Sequence, residues 1–250
     1  MSKRLFRLGL VSIVFGLILT STAAAQDFQK SYRLTAGADI RITNVSGDLT
    51  VTGYDGDAVI VTATKEGRDQ DKVEIEDRST PGHIDIGVRY PDHCNNCRAD
   101  VRFDVKAPRS TSFDFKRLSS VSGDVDISSV TGTLRASSVS GNVRVKDIAG
   151  SVSASAVSGN VEVEIDRLDG AENMKFSSVS GNVNVRIPQS LDADVEMSSL
   201  SGSLKTDFPI EVREKRYGPG RSAHGRVGSG SRTLNMSSVS GSVSLMYSGR

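Results

Sequence analysis

The stretch SSVSGNVRVKDIAGSVSASAVSGNVEV, residues 137–163, repeats one short pattern and decides the fold. Each copy reads apolar–small–Gly–x–apolar–x–apolar, as in Val139-Ser-Gly-Asn-Val143-Arg-Val145. Alternation of apolar and polar residues after each glycine is typical of a half-buried β-strand. Glycine permits backbone that a Cβ would penalise, and serine can hydrogen-bond the local backbone, so each Ser-Gly predicts a corner. The predicted structural corners are Gly47, Gly123, Gly132, Gly141, Gly150, Gly159, Gly181, Gly202 and Gly241.

Short strands at a fixed repeat indicate a solenoid, in which each unit buries its apolar face by stacking on the next. The outward charges select the coil length. Stacking every nine residues would put Arg135 against Arg144, whereas an 18-residue coil aligns Asp126, Arg144 and Glu162. Opposite charges on paired strands stabilise by roughly 0.2–1 kcal/mol, and like charges destabilise. The sequence therefore predicts an all-β, single-stranded β-solenoid (β-helix) with coils of about 18–22 residues.

Residues 1–25 have the pattern of a cleavable N-terminal signal peptide. Three basic residues precede an apolar run at 8–19, and Ala23-Ala24-Ala25 follows as a cleavage site. The alternative is an uncleaved anchor, but the apolar run is shorter than the ~20 residues of a spanning helix. We therefore expect export, to the periplasm or to the cell surface and extracellular space, and no transmembrane segment in the mature chain.

The remaining chain divides by the regularity of the repeat. We expect residues 26–118 to form an N-terminal cap and opening coils, and residues 119–250 the regular solenoid, with a Gly/Arg-rich loop at 207–232. Without the three basic residues of the leader, 31 − 3 = 28 Lys and Arg stand against 30 Asp and Glu, a net charge of −2. A near-neutral chain of mixed charges excludes a general attraction to nucleic acid.

The order of these corners and connections resembles the bacterial exported β-solenoid family known as putative adhesins, a domain of unknown function. The resemblance rests on NVSGDLTVTGYDGDAVIVTAT (44–64), VRFDVKAP (101–108), SVSGDVDI (120–127), RIPQSLDADVEMSSLSGSLKT (186–206) and GRVGSGSRTLNMSSVSGSVSL (225–245). It implies a single-stranded β-helix, an envelope or surface location, and no catalytic residue to carry over.

The pair Cys94 and Cys97, next to His93, has three interpretations. In an exported chain the first is a disulfide that closes a tight loop. A redox-active pair would need a helix N-terminus in a βαβ setting, which is absent from this pattern. A zinc site completed by His93 and His83 has suitable ligand types but lacks a second close ligand pair. We predict the disulfide, and neither a metal nor a cofactor.

The segment REKRYGPGRSAHGRVGSGSR (213–232) is Gly-rich with an excess of basic residues. It is either a solvated loop or a clamp on an anionic partner such as an envelope polysaccharide. The candidate contacts are Arg213, Lys215, Arg216, Arg221 and Arg226. A calcium-binding roll is disfavoured because each unit has one glycine and few carboxylates.

The corner serines do not form a nucleophilic site, because no histidine recurs beside them. The sequence therefore predicts a protein that is not an enzyme: an adhesin-like scaffold or binding module of the cell envelope, which presents a repetitive face to an envelope protein or polysaccharide. The alternative is an envelope-sensing or assembly partner, recognised through an edge strand or through residues 213–232. A polysaccharide-active β-helix enzyme is a distant third, because the charges spread into ladders instead of converging in a cleft.

Overall fold

The computed structural model describes residues 27–92, 97–214 and 219–249, and the all-β prediction is confirmed there. One 3₁₀ turn, Gln70–Lys72, interrupts the strands of these segments. In chain order the strands are β1 (Phe28–Tyr32), β2 (Asp39–Thr43), β3 (Leu49–Tyr54), β4 (Val59–Glu66), β5 (Glu74–Asp77), β6 (His83–Arg89), β7 (Asp100–Pro108), β8 (Ser112–Ser122), β9 (Val125–Ser128), β10 (Thr131–Ser140), β11 (Val143–Ser158), β12 (Val161–Arg167), β13 (Met174–Ser178), β14 (Val183–Ile187), β15 (Ala193–Ser199), β16 (Leu204–Thr206), β17 (Val212–Glu214), β18 (Arg221–Val227), β19 (Thr233–Ser238) and β20 (Val243–Tyr247).

Successive turns of the chain stack in parallel through the middle of the molecule. The residues that lie opposite one another in four successive turns are Val125, Val143, Val161 and Val183. They are 18, 18 and 22 residues apart, within the predicted coil length of about 18–22 residues. The ladder of Asp126, Arg144 and Glu162 is present in the same register. The 18-residue coil is therefore confirmed for this part of the solenoid.

Each coil contributes to two faces, which meet at the Ser-Gly corners. We call the first the serine face; it contains β2, β8, β10, residues 149–158 of β11, β13, β19 and β15. We call the second the charged-ladder face; it contains β3, β9, residues 143–148 of β11, β12, β14, β20 and β16. The long strand β11 belongs to both faces.

The stacking order departs from the chain order at both ends of the solenoid. Strands β6 and β7 pair on the outer side of β2 and β3, whose other side pairs with β8 and β9. At the opposite end, β19 and β20 lie between the coil of β13 and β14 and the coil of β15 and β16. The last coil of the chain is therefore an internal one.

Antiparallel strands cover the outer coils at both ends. β4 pairs with β7, β1 with β4, and β5 with β6. At the other end β18 pairs with β15 along its whole length, and β17 pairs with β18. The segment 207–232, expected as a loop, thus contains two strands. The reason is that β15 would otherwise present unpaired backbone groups at its edge, which residues 221–227 satisfy.

The core is a thin stack of aliphatic residues with a few large side chains. Inward positions alternate with outward ones along the strands, for example in Val161, Val163 and Ile165, which are fully or almost fully buried. Phe103, Phe115 and Phe176 are the largest fully buried side chains. This arrangement explains how a chain without tryptophan forms a continuous core, since each coil needs only a few apolar side chains to cover its neighbours.

Glycine stands at the main corner because neighbouring coils approach closely there. A Cβ on Gly141 would lie 2.1 Å from the carbonyl oxygen of Gly123, and a Cβ on Gly159 would lie 2.0 Å from that of Gly141. The φ angle of Gly141 is not positive, whereas Gly47, in an outer coil, has a φ of 103°. Space, and not the torsion expected from the sequence, selects glycine at Gly141.

Some expectations concern residues outside the described segments. Residues 1–25, predicted to be the leader, and Cys94, predicted to pair with Cys97, are not among the described residues. The signal peptide and the disulfide therefore stay predictions.

Candidate functional site

Outward side chains on the serine face form straight rows across the coils. One row consists of hydroxyl side chains in register from coil to coil. Its members are Thr43, Ser119, Ser137, Ser155, Ser177, Ser237 and Ser198. All are half-buried, so each hydroxyl is partly accessible to solvent. The row is a line of hydrogen-bonding groups that follows the solenoid axis.

A row of cationic side chains runs beside the serine row. Arg41 lies opposite Arg117, Arg135 follows one coil later, and Lys175 lies two coils beyond Arg135. A β-bulge adds a fifth cation, because β8 places Lys116 and Arg117 where β10 has only Arg135. Bulges often redirect a side chain at a functional surface, and this one concentrates positive charge.

The middle parts of these two rows line a shallow groove of about 350 Å³. Its charged lining residues are the cations of β8, β10 and β13, and carboxylates do not contribute to its lining. The lining residues are Lys116, Arg117, Arg135, Ala136, Ser137, Ser153, Ala154, Ser155, Lys175 and Ser177. We call this surface the basic groove. Its chemistry suits an anion that can also accept hydrogen bonds from hydroxyl groups.

Two of the cations are partly neutralised from the rim of the basic groove. Lys116 Nζ lies 2.8 Å from Asp39 Oδ2, and this hydrogen bond lowers the pKa of the Asp39 carboxyl. Arg135 Nη1 lies 3.6 Å from Asp114 Oδ1. Within the described residues, Arg117 and Lys175 are exposed and make no ion pair within 4.0 Å. The basic groove therefore keeps a net positive charge.

The charged-ladder face differs, because its charges compensate one another. Arg144 Nη1 lies 2.7 Å from Asp124 Oδ2 and 3.4 Å from Asp126 Oδ1. Burial alone would raise the pKa of Asp124, but hydrogen bonds from the Asn142 N–H and from Arg144 outweigh it and lower the pKa. A groove of about 290 Å³ on this face contains residues of both signs, including Lys146, Glu162, Glu164 and Arg186.

Two of the basic residues predicted as partner contacts in the 213–232 segment, Arg221 and Arg226, bond to the solenoid itself. Arg221 Nη1 donates to the Gly202 carbonyl at 3.0 Å. Arg226 Nε donates to Asp194 Oδ1 at 2.7 Å, and this bond lowers the pKa of Asp194. Both arginines thus fasten the capping strand β18 to the solenoid. The side chain of Arg213, and residues Lys215 and Arg216, lie outside the described residues.

The buried serines of the corners are hydrogen-bond donors to the neighbouring coil. Ser138 Oγ donates to the Gly123 carbonyl at 2.8 Å, and Ser178 Oγ donates to the Gly159 carbonyl at 2.8 Å. Their role is to satisfy corner carbonyls that a tight stack removes from water. Among the described residues, His, Cys, Asp and Glu do not form a group of three that could hold a metal ion.

Sequence reasoning missed the basic groove because its cations are far apart in the chain. They belong to three different coils and share no local motif. The 18-residue spacing of Arg117 and Arg135 is the one signal that the sequence offered. The bulge that adds Lys116 is invisible to a strict period-two pattern.

The profile of the family DUF4097, described as Toastrack, matches residues 100–171 and 169–246, which is more than half of the chain. The chain belongs to this family. Two solved structures are similar to this chain. One, from Clostridium sporogenes, is titled a putative cell adhesion protein; it is 11% identical, with 88% of this chain and 99% of that chain covered and a TM-score of 0.43. The other, from Bacteroides fragilis, is titled a putative adhesin; it is 13% identical, with 87% and 96% covered and a TM-score of 0.41.

No curated protein matches the sequence. Within the described segments, no helix has the length and apolar character needed to cross a membrane.

Proposed function

We propose that this chain is a non-catalytic binding module of the cell envelope and that its basic groove binds an extended polyanion. The proposal rests on a difference between the two faces: charges of opposite sign lie opposite each other on the charged-ladder face, whereas cations lie opposite or close to other cations on the serine face. On the charged-ladder face, acids and bases alternate across the coils. On the serine face, Arg41 and Arg117 lie directly opposite each other, and Arg117 and Lys175 have no ion-pair partner in the described segments.

Like charges in directly opposed strand positions destabilise a sheet. An arrangement that keeps such a row therefore has a cost that the charged-ladder face avoids. A bound chain of anions would remove this cost, because each carboxylate or phosphate would sit between cations of neighbouring coils. The coil spacing of about 4.8 Å lets an extended polymer meet the groove at regular intervals.

The serine row supplies the second element of recognition. Hydroxyl groups of Ser137, Ser155 and Ser177 lie next to the cations and can donate to anionic oxygens or accept from ligand hydroxyls. The ligand class that fits both rows is a linear polymer with carboxylate or phosphate groups, such as an acidic envelope polysaccharide. The predicted leader at 1–25 supports an envelope location for this function.

A catalytic role receives less support from the same surface. Hydrolysis of a glycosidic bond by the usual route needs two carboxyl groups across the bond. The basic groove is lined by cations and hydroxyls, and its nearest acids, Asp39 and Asp114, are engaged by Lys116 and Arg135. We therefore retain binding as the function and propose no reaction.

The test replaces three cations of the groove together, Arg117→Ser, Arg135→Ser and Lys175→Ser. The matched control carries Lys146→Ser, Arg186→Ser and Lys205→Ser on the charged-ladder face, with the same change in net charge. Binding of fluorescent polygalacturonate, polyphosphate and neutral dextran is measured by anisotropy at two salt concentrations. The first two probes separate carboxylate from phosphate recognition.

The expected result is at least about a tenfold loss of affinity in the groove variant, equivalent to about 1.4 kcal/mol, and much less in the control. Added salt should weaken wild-type binding, because the contacts are exposed ion pairs. Equal losses in both variants would show that only net charge matters. Absence of binding to both polyanions would refute the proposed ligand class.

A further inference from the structure

A continuous stripe of aliphatic side chains runs along the corner where the serine face meets the Ser-Gly turn. It contains the residue that precedes the Ser-Gly pair of each of these corners. We call it the valine stripe; its members are Val45, Val121, Val139, Val157, Val179, Val239 and Leu200. Each is between 40% and 47% exposed, although most other large aliphatic residues in the described segments are buried.

Backbone hydrogen bonds fix the order of the stripe. Ser122 N–H donates to the Val45 carbonyl at 2.8 Å, Ser180 N–H donates to the Val157 carbonyl at 2.8 Å, and Ser201 N–H donates to the Val239 carbonyl at 3.0 Å. The stacking of the corner glycines gives the same order, from Gly47 at one end to Gly202 at the other. Seven coils at a spacing of about 4.8 Å make a ridge about 29 Å long.

The fold does not require aliphatic residues at these positions. Ser138 points inward at the corner, and the alternation of the strand therefore sends Val139 to solvent. Threonine at this place would keep the preference for extended backbone without exposing a fully apolar group. The same choice recurs in all seven coils, including those that are separated by long connections. A contiguous exposed apolar surface of this kind marks an interaction site.

The surroundings of the stripe narrow the class of partner. Serine flanks it on both sides, as in Ser137 and Ser140 around Val139. The residue after each corner glycine is acidic or neutral, as in Asp48, Asn142 and Asn160, so these positions offer no lysine or arginine to attract an anionic lipid surface. The aromatic residues that anchor proteins at a membrane interface are absent from the members of the stripe and from these flanking positions. A partner protein with an apolar ridge and a polar rim fits this surface.

The repeat distance of the valine stripe restricts the class of partner further. A partner that covers every valine must present apolar groups at the same interval of about 4.8 Å over seven coils. The valine stripe itself has this spacing, and two-fold symmetry brings the same surface of two subunits together. We propose that the valine stripe is a self-association surface, on which a second copy of this chain packs its own valine stripe.

The size of the ridge sets the strength of this association. A stable interface buries about 800 Å² on each partner, and a ridge about 29 Å long and one side chain wide offers less apolar area than that. The flanking serines would form the polar rim. The dimer is therefore weak and forms at high local concentration. The valine stripe adjoins the basic groove along the serine row but contains none of its cations, so variants of the cations and variants of the valines test the two proposals separately.

The first test uses symmetry. Val157 is the middle member of the stripe, so a two-fold axis through the centre of the stripe places it opposite its own counterpart, whether the two stripes run parallel or antiparallel. Val157→Cys should form an intermolecular disulfide rapidly under mild oxidation, because a Cα separation of about 4.4–6.8 Å permits the bond. The chain without the added cysteine is one control, and Val212→Cys, an exposed valine outside the stripe, is the other.

The second test is sedimentation velocity over about a hundredfold range of concentration, since dimers respond to mass action. Wild type should shift to the dimer as concentration rises. A Val139→Lys and Val157→Lys double variant should stay monomeric, whereas Val212→Lys should behave as wild type. A wild type that stays monomeric throughout, or a double variant that dimerises equally well, would overturn the proposal, as would equal cross-linking of Val157→Cys and Val212→Cys.

Discussion

A methyl group placed on Gly141 would lie 2.1 Å from the carbonyl oxygen of Gly123. The same distance recurs at Gly181 and Gly241, so every coil in the stack needs this corner to be bare. The inward position three residues before the corner glycine accepts more than one residue type. It is Ser138 in one coil and Ala156 in the next, so the serine hydrogen bond to a corner carbonyl strengthens the stack without being essential to it.

The cost of the steric clash at Gly141 can be compared with the cost of a positive φ at another glycine. Gly141→Ala should lower the free energy of unfolding by about 1–3 kcal/mol or more, because the coils must move apart to admit the methyl group. Gly37→Ala is the matched control, because Gly37 has a φ of 80° and open space around its Cα. Its cost should be about 1–2 kcal/mol, from backbone strain alone. Urea unfolding of both variants tests the ranking, and a smaller cost at Gly141 than at Gly37 would contradict it.

Among the elements, the central strands could be predicted from the sequence and the terminal ones could not. The alternation of Val143 and Val145 with outward charges gave the strand type, the coil length and the inward face. The order of coils at the ends had no local signal, because each coil shows the same apolar pattern to either neighbour. The strand β18 was missed for a related reason, since its glycines and arginines suggest a loop until the free edge of β15 is in view.

The capping strand β18 is joined to β19 by a turn that one carboxylate fastens. Asp192 accepts hydrogen bonds from Ser229 Oγ at 2.8 Å and from the Gly230 N–H at 2.6 Å. The hydroxyl of Ser229, together with these backbone donors, lowers the pKa of Asp192 from 3.8 to about 2. A depressed carboxyl pKa means that the ionised form stabilises the fold, so this contribution is complete above the unfolded value and disappears as the pH falls.

Asp192→Asn should therefore lower the melting temperature most above about pH 5, because the Asp192 carboxyl of the wild type is ionised there in both the folded and the unfolded chain. The difference from wild type should shrink as the pH falls from 3.8 toward 2. Asp71→Asn, at an exposed position in the 3₁₀ turn, is the control for the loss of one negative charge. A constant difference between Asp192→Asn and wild type over this range would contradict the assigned role.

At the scale of the whole molecule, the solenoid displays rows of side chains that no single coil contains. The basic groove and the valine stripe both arise because one outward position is repeated across coils that lie far apart in sequence. In the sequence Val139 has the same parity as Val143 and Val145, and both this parity and its apolar character suggested burial. The cations of the groove needed the register of β8 and its bulge before they could be seen as one surface.

The two faces of the solenoid differ in proposed function, since only the basic groove is proposed to receive an anionic polymer. The most direct measurement is NMR mapping of backbone amides on the 26.6 kDa chain during titration with polygalacturonate. Binding in the basic groove should place the largest shifts on β8, β10 and β13 around Arg117, Arg135 and Lys175, and added salt should reduce them. Shifts centred instead on Lys146 and Arg186 of the charged-ladder face would contradict it.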